Sequence, residues 1–174
     1  MRTHVLIGAF FFVVGVASGQ EKPEIKQNDP YSYVLIESED FLLNIPGMIG
    51  QLMQEAGKQG IRPQGPIFCV ISSAADANNF ATLEGGIGFK VPKDAAVRPP
   101  LKKLEFAFQT VATAVSFGPY DNMNEAMIPV FSYIDENGYE QIGPVIVTWL
   151  DNPDQVPPEK CRTIVVVPVK KEGE

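Results

Sequence analysis

The sequence predicts an α+β fold of two β-α-β-β units related by pseudo-twofold symmetry. One antiparallel sheet would carry two helices on one face and a cleft on the other. The prediction depends on an internal repeat, an apolar stripe of helical period in each copy, and segments rich in β-branched residues around each stripe. A chain of 174 residues with 45% hydrophobic content has the length of one domain and enough apolar side chains for a core.

The repeat is a match of the chain to itself at an offset of 78 residues. Its most visible members are two glycines and a proline, which are Gly60, Gly65 and Pro66 in the first copy and Gly138, Gly143 and Pro144 in the second. One unit alone has too little core to be stable, so the two copies are expected to pair their sheets. A small molecule would then bind between them.

Each copy contains a helical pattern in the same register. Apolar residues recur at i, i+1, i+4, i+5 and i+8, starting from Met48 in the first copy and from Ala126 in the second. A glycine follows each pattern, which suits a left-handed helix cap. Asp121 is the expected N-cap of the second helix. Pro129 lies well inside that helix and predicts a bend or a later helix start.

Strands are predicted on both sides of each helix from β-branched and aromatic residues. They cover 31–37, 67–72 and 81–91 in the first half (31–92), and 111–117, 145–150 and 162–169 in the second half (102–170). Residues 104–109 are expected to lead into or extend the first strand of the second half. The segment 93–100 ends in two prolines and is predicted to be the linker between the halves.

The N-terminus predicts export to the periplasm or secretion. Arg2 precedes twelve apolar residues at 5–16, and Ala17-Ser18-Gly19 supplies the small residues of a cleavage site. A membrane span needs about 20 residues, so this run is short for one. We therefore predict a signal peptide at 1–19, a flexible lead-in at 20–30, and the folded domain at 31–174. A buried N-terminal strand or an uncleaved anchor is the alternative.

Composition excludes several function classes. A net charge of −7 disfavours nucleic acid as a partner, because phosphate backbones are repelled. His4 is the only histidine, so cleavage would leave no Ser–His or Cys–His pair and no His-bearing zinc site. No metal or cofactor is predicted, and the oligomeric state is left open. Cys69 and Cys161 could pair in an oxidising compartment or be separate core residues.

Motifs in the second half carry a family resemblance. They are Phe-Gly-Pro-Tyr at 117–120, Asn-Gly at 137–138, Gly-Pro at 143–144, Asp-Asn-Pro at 151–153 and Val-Pro-Pro-Glu at 156–159. In this order they resemble the GyrI-like small-molecule-binding domain, also called the AraC-type or bacterial transcription activator effector-binding domain. The resemblance covers about residues 30–170 and is strongest over 111–170.

The resemblance implies the duplicated fold and a pocket for amphipathic, often cationic, organic molecules. It also implies that relatives made of this domain alone bind toxic small molecules or proteins, and that some hydrolyse strained electrophiles with a pocket Glu. The sequence departs from the family in its last strand, which usually reads Thr-Glu-Ile. Here Ile164 replaces the acidic residue, and an apolar side chain cannot balance a ligand cation.

Aromatic residues are the main candidates for ligand contact. Tyr120 would stack on a ligand or hydrogen-bond to it, or else pack the turn. Trp149 would form a pocket wall or belong to the core. The repeat pairs Trp149 with Ile71. Phe68 is three residues before Ile71, so strand alternation puts it on the opposite face. Phe68 therefore lines the pocket if Trp149 belongs to the core. Phe106 and Phe108 share a face and line the pocket if that face is open.

Glu84 is the remaining candidate for a pocket carboxylate. The alternative is that it is a solvent-exposed residue of the strand. The predicted function is thus an exported, non-catalytic or weakly catalytic binder of amphipathic small organic molecules, cationic ones included, with the ligand in a cleft between the repeats. One alternative is a hydrolase of electrophilic compounds, with Glu84 as general acid or base and Tyr120 assisting. Another is a protein-interaction module that uses an exposed sheet face.

Overall fold

A computed structural model describes the protein over residues 19–38, 41–72 and 84–173. The predicted signal peptide, apart from Gly19, lies outside these residues. The described part contains two α-helices, α1 (Ile45–Lys58) and α2 (Met123–Glu136). Its strands are β1 (Glu24–Gln27), β2 (Tyr31–Ser38), β3 (Phe68–Ile71), β4 (Gly85–Val91), β5 (Lys102–Phe106), β6 (Thr110–Phe117), β7 (Tyr139–Gln141), β8 (Val145–Trp149) and β9 (Arg162–Lys171).

The strands form one curled antiparallel sheet, which together with the two helices confirms the predicted α+β class. The strand order is β1-β6-β9-β8-β3-β4-β2-β5, and the short β7 pairs with the end of β9. The centre of the sheet is the pair β3–β8, one strand from each half, where Cys69 lies opposite Val147. The residues joining β4 to β5, 92–101, include the segment predicted as the linker.

Strand registers in the two halves are related by the same offset of 78 residues. Adding 78 to both members of the β2–β4 pair Val34↔Phe89 gives Ala112↔Val167, which is an observed β6–β9 pair. The β3–β4 and β8–β9 registers obey the same rule. Both helices also follow it, since α1 spans 45–58 and α2 spans 123–136. The repeat read from the glycines therefore extends to the hydrogen-bonding pattern of the sheet.

The predicted flexible lead-in is wrong in part, because residues 24–27 form β1. Adding 78 to β1 gives 102–105, which falls within β5, so each half has an additional leading strand. These leading strands are exchanged: β1 pairs with β6 of the second half, and β5 pairs with β2 of the first. The segment expected to extend β6 is thus a separate strand, β5, on the far edge of the sheet.

Local signals in the sequence explain where α1 begins and ends. The Asn44 side chain accepts a hydrogen bond from the amide of Gly47 at 3.2 Å and caps the N-terminus. At the other end Gly60 has φ +69°, and the amide of Ile61 donates to the carbonyl of Ala56 at 2.9 Å. This is the left-handed cap that the glycine predicted.

The second helix differs from the prediction at its start. A short 3₁₀ turn occupies 120–122, so Asp121 lies in this turn and α2 begins at Met123. Pro129 lies inside α2 without ending it. Proline has no amide hydrogen, so the helix lacks one interior hydrogen bond at this position. Packing of the buried face against the sheet retains the helical conformation there.

Both helices cover one face of the sheet, where the larger core lies. Met48, Leu52 and Ala56 of α1 pack there with the corresponding buried side chains of α2. A second, smaller core lies on the opposite face of the sheet and contains Tyr33, Phe68 and other apolar side chains from both halves. Met53, predicted to belong to the buried stripe of α1, is 41% exposed.

Candidate functional site

Five aromatic rings lie together on the sheet face that the helices leave uncovered. This aromatic cluster consists of Tyr31, Tyr33, Phe68, Phe106 and Phe108. The rings of Tyr31 and Phe106 are stacked, with centroids 5.1 Å apart and an interplanar angle of 13°. Phe68 is edge-on to Tyr33 at 5.7 Å, and Phe108 is edge-on to Phe106 at 5.2 Å. Such arrangements are the favoured geometries of aromatic pairs.

Strand register and two glycines bring these rings together. Tyr31 lies directly opposite Phe106 on β5, so their side chains share a face. Phe68 lies opposite Gly88 of β4, and a Cβ atom built on Gly88 would be 3.4 Å from the Phe68 ring. The ring of Phe108 lies against Gly143, where a Cβ atom would be only 2.5 Å away. Missing side chains at these glycines provide the space that the rings occupy.

Burial divides the cluster into an interior and a rim. Phe68 and Phe106 are 2% and 1% exposed, whereas Tyr31 and Phe108 are half-buried. A ligand would reach the cluster from this rim. Phe106 and Phe108 do share a face, as predicted, and it is the face without helices. Phe68 is on that face too.

Ile164 lies on the same face as Phe68, two strands away. Thr148 of β8 is opposite Phe68 on one side and opposite Ile164 of β9 on the other. Val115 of β6 continues this row. The position where family members usually carry an acid therefore belongs to a half-buried, mostly apolar surface next to the cluster.

Charged groups beside the aromatic cluster lie on β2, β4 and β5. Lys90 of β4 places its Nζ atom 3.8 Å from the centroid of the Tyr31 ring. Glu37 of β2 forms an ion pair with Lys102 of β5. Burial, and secondly the charge of Glu37, raise the pKa of Tyr33 above its ordinary value. Burial also raises the pKa of Tyr31 and lowers that of Lys90.

Tyr120 and Trp149 come together at a different place. Their ring centroids are 6.2 Å apart, and Trp149 packs against the core on the helix side of the sheet. The hydroxyl of Tyr120 donates to the carbonyl of Asp151 and accepts from its amide. Burial raises the pKa of Tyr120. The indole Nε1 of Trp149 is buried, and within the described part of the chain it has no hydrogen-bond partner.

A cavity of about 190 Å³ lies near this pair of rings. Ser116 and Thr163 line it from β6 and β9, and Glu125 lines it from the first turn of α2. Thr163 is directly opposite both Ser116 and Trp149, so these three side chains share the helix side of the sheet. The cavity is therefore separated from the aromatic cluster by the sheet itself.

Glu84 is exposed and lies just before β4. Together with Glu37, Ser72 and Gly85 it lines a cavity of about 430 Å³ at one end of the sheet. Tyr120 contacts Trp149, the last residue of β8, at the other end. The structure thus does not bring Glu84 and Tyr120 together.

Five residues of the cluster face were not predicted as site residues: Tyr31, Tyr33, Glu37, Lys90 and Lys102. Glu37 lies in β2 and is ion-paired with Lys102. Alternation along β2 puts Tyr31, Tyr33 and Glu37 on one face. The sequence of the predicted strand 31–37 was therefore sufficient to group these three residues. Lys90 could be assigned only once the β2–β4 register placed it opposite Tyr33.

Cys69 and Cys161 are both buried and both free, so the structure does not contain a disulfide between them. Burial raises the pKa of the Cys69 thiol. Among residues 19–38, 41–72 and 84–173, no cluster of three metal-ligating side chains occurs. In the same ranges no helix is both long and apolar enough to span a membrane.

Comparison with known proteins identifies the family. The GyrI-like small molecule binding domain matches this chain over residues 21–170. The chain belongs to this family. The matched range includes β1, in agreement with the structural role of residues 24–27. No curated protein matches the sequence.

Solved structures of GyrI-like architecture resemble the whole described fold. The EcmrR C-terminal domain is 18% identical, with a TM-score of 0.69 and coverage of 86% of this chain and 97% of that domain. SAV2435 bound to tetraphenylphosphonium is 16% identical, with a TM-score of 0.61 and coverage of 86% and 94%. A hydrolase from Listeria innocua is 13% identical, with a TM-score of 0.60 and coverage of 86% and 92%.

The present chain spans 58% of the EcmrR chain in its complex with DNA. At these identities the likeness establishes the fold of the GyrI-like domain alone. The residues that contact a ligand must therefore be argued from this chain's own side chains.

Proposed function

We propose that this GyrI-like protein is exported and binds amphipathic small organic molecules on its aromatic cluster. The observation that carries the proposal is the group of five rings on the sheet face without helices, with Tyr31 and Phe108 half-buried at its rim. Ligand sites combine apolar and aromatic walls with a few polar groups. Here the polar groups are the tyrosine hydroxyls, Lys90 and the Glu37–Lys102 pair.

The ligand would place a flat apolar group in contact with this aromatic surface. Stacking on a half-buried ring contributes about 0.5–1.5 kcal/mol beyond the burial of area. A cation, the charge type bound by SAV2435, would have Glu37 as the carboxylate nearest Tyr33 on this face. That carboxylate is already neutralised by Lys102, so the apolar contact is the main source of affinity.

Binding is tested with a neutral probe, 2-naphthylmethanol, and with tetraphenylphosphonium, by titration calorimetry. Tyr31→Leu should weaken binding of the neutral probe about fivefold, because it removes one rim ring. Tyr139→Leu is the matched control: Tyr139 is also half-buried and also lies beneath a lysine, Lys171, but outside the cluster. Equal affinities of the two variants for both probes would refute the assignment of the site.

Export is tested separately by the mass of the protein recovered from outside the cytoplasm. Cleavage after Gly19 leaves Gln20 as the first residue and removes the apolar run 5–16. The side chain of Gln20 donates to the carbonyl of Ala126 in α2 at 3.2 Å. An intact N-terminus on the recovered protein would contradict the proposed cleavage.

Hydrolysis is the second candidate, and the cavity shared by Glu37 and Glu84 favours it. Two carboxylates beside one cavity could act as general acid and base on an electrophilic substrate. Glu84→Gln should then abolish turnover of an epoxide probe while leaving binding to the aromatic cluster intact, and Glu37→Gln should abolish turnover as well. Tyr120→Phe should leave turnover unchanged, because its hydroxyl is bound to Asp151 at the other end of the sheet.

A further inference from the structure

Lys90 has an unusual position on the cluster face. Its Nζ atom lies over the Tyr31 ring at 3.8 Å, and Tyr31 in turn stacks on Phe106. The backbone of Lys90 is held by β4 and by the amide of Gln64, which donates to its carbonyl at 2.8 Å. The register places Lys90 opposite Tyr33. A positive charge is therefore fixed at the rim of the aromatic cluster.

The neighbouring charges on this face are already paired. The strands β2 and β5 contribute Glu37 and Lys102 to it, and these two form an ion pair. Glu105 is opposite Ser32 and alternates to the other side of the sheet. Within the described residues the Lys90 ammonium group contacts the face of the Tyr31 ring and forms no ion pair with a carboxylate.

Two further observations favour an anion beside Lys90. The position that would supply a carboxylate to a cationic ligand is the apolar Ile164, on the same face as Phe68. The Lys90 side chain is exposed at the rim of the cluster, so a ligand can reach its ammonium group. The acid group of such a ligand would accept a charge-assisted hydrogen bond from it.

We infer that Lys90 selects acidic aromatic ligands, in which a carboxylate or sulfonate is attached to a flat apolar body. The body would contact the aromatic cluster while the acid group accepts hydrogen bonds from the Lys90 ammonium. This inference rests on the proposed function, since it names the ligand class of the same site. It reverses the charge expected from the family resemblance, and a cation anchored by Glu37 is the competing outcome.

The test compares three probes that share one ring system and differ in charge. They are 2-naphthoate, 2-naphthylmethanol and 2-naphthylmethylammonium, each titrated into the full-length protein at neutral pH and low salt. The unaltered protein should bind 2-naphthoate about fivefold more tightly than the neutral alcohol, which is the size of effect expected for a partly exposed ion pair. It should bind the ammonium probe most weakly.

Lys90→Met should abolish the preference for 2-naphthoate over 2-naphthylmethanol, so that the variant binds the two probes with equal affinity. Lys171→Met is the matched control, because Lys171 also lies over a tyrosine ring, Tyr139, at 4.5 Å; it should keep the preference. Equal binding of the acid and the alcohol by the unaltered protein would overturn the inference and leave the proposed function standing. Tightest binding of the ammonium probe would overturn it in favour of Glu37. Failure of all three probes to bind would overturn both.

Discussion

The phenolic oxygen of Tyr120 forms hydrogen bonds with both the backbone amide and the backbone carbonyl of Asp151. The amide of Asp151 donates to it at 2.8 Å, and the hydroxyl donates to the carbonyl of the same residue at 2.9 Å. This contact joins the turn that follows β6 to the loop that follows β8. The Gly-Pro-Tyr motif of the GyrI-like domain therefore has a structural explanation in this protein that is independent of any ligand.

Tyr120→Phe removes both hydrogen bonds and retains the ring. It should lower the free energy of unfolding by about 1–2 kcal/mol, because a partly buried amide and carbonyl lose their partner. Urea unfolding followed by circular dichroism measures the change, with Tyr133→Phe, at a half-buried tyrosine of α2, as the control. Binding of 2-naphthylmethanol should be unaffected; weaker binding with unchanged stability would assign Tyr120 to the ligand instead.

Asp151 also holds Arg162, and this pair should make stability depend on pH. The hydrogen bond from Arg162 is the main cause of the lowered pKa of Asp151, and the pair is bidentate, with contacts of 3.0 and 2.8 Å. A lowered pKa means that the folded state binds this proton less readily than the unfolded state. The stabilisation is thus complete above the ordinary value of 3.8 and is lost as the pH falls below it.

Asp151→Asn should consequently destabilise the protein near neutral pH by an amount that shrinks towards about pH 3. Unfolding curves of both proteins between about pH 6 and about pH 3 measure this difference. Asp135→Asn, at an exposed position of α2, is the control. A difference that stayed constant over the whole range would show that the ion pair is not responsible.

Gly86 should tolerate no side chain. A Cβ atom there would lie 2.1 Å from the carbonyl oxygen of Ile36 on β2, which is backbone and cannot move aside cheaply. Gly86→Ala should therefore destabilise the protein by roughly 3 kcal/mol or prevent folding. Gly50→Ala is the control, since no atom lies within 4 Å of its Cβ position on α1. It should stabilise the protein by about 0.5–1 kcal/mol, and similar melting temperatures for both variants would contradict the register of β2 and β4.

The two cysteines should be unreactive in the native state. Both are buried and free, and burial raises the pKa of Cys69, so little thiolate is available. Ellman's reagent should label neither thiol in native buffer and both after denaturation in urea. Labelling of neither under denaturing, non-reducing conditions would indicate a disulfide between them.

Several features of the fold were predictable because they depend on local sequence. The period of apolar residues located both helices, and the repeat of Gly60 and Gly138 located their left-handed caps, at φ +69° and +63°. The leading strands were missed because β1 is only four residues long and has mostly exposed side chains. Its pairing with β6 depends on residues that are distant in the chain, which no local pattern encodes.

The site was predictable only for its hydrophobic members. Phe68, Phe106 and Phe108 were identified as aromatic candidates, and strand alternation correctly separated Phe68 from Trp149. Glu84 and Tyr120 remain predictions whose side chains lie at opposite ends of the sheet. Lys90 does lie at an exposed position of β4; its contact with the Tyr31 ring depends on the pairing of β4 with β2, which the local sequence does not encode.

The exchange of β1 and β5 between the halves has a consequence for how the protein reaches its native state. Ile25 pairs with Ala112, so the first strand has no partner until β6, at 110–117, has been made. Suppose that residues 19–92 were expressed alone. This fragment would lack β5, so one edge of β2 would be unpaired, and its own leading strand β1 would also be without a partner. Two such fragments could exchange leading strands as a domain-swapped homodimer, so the intact chain can be viewed as that dimer connected through the 92–101 segment.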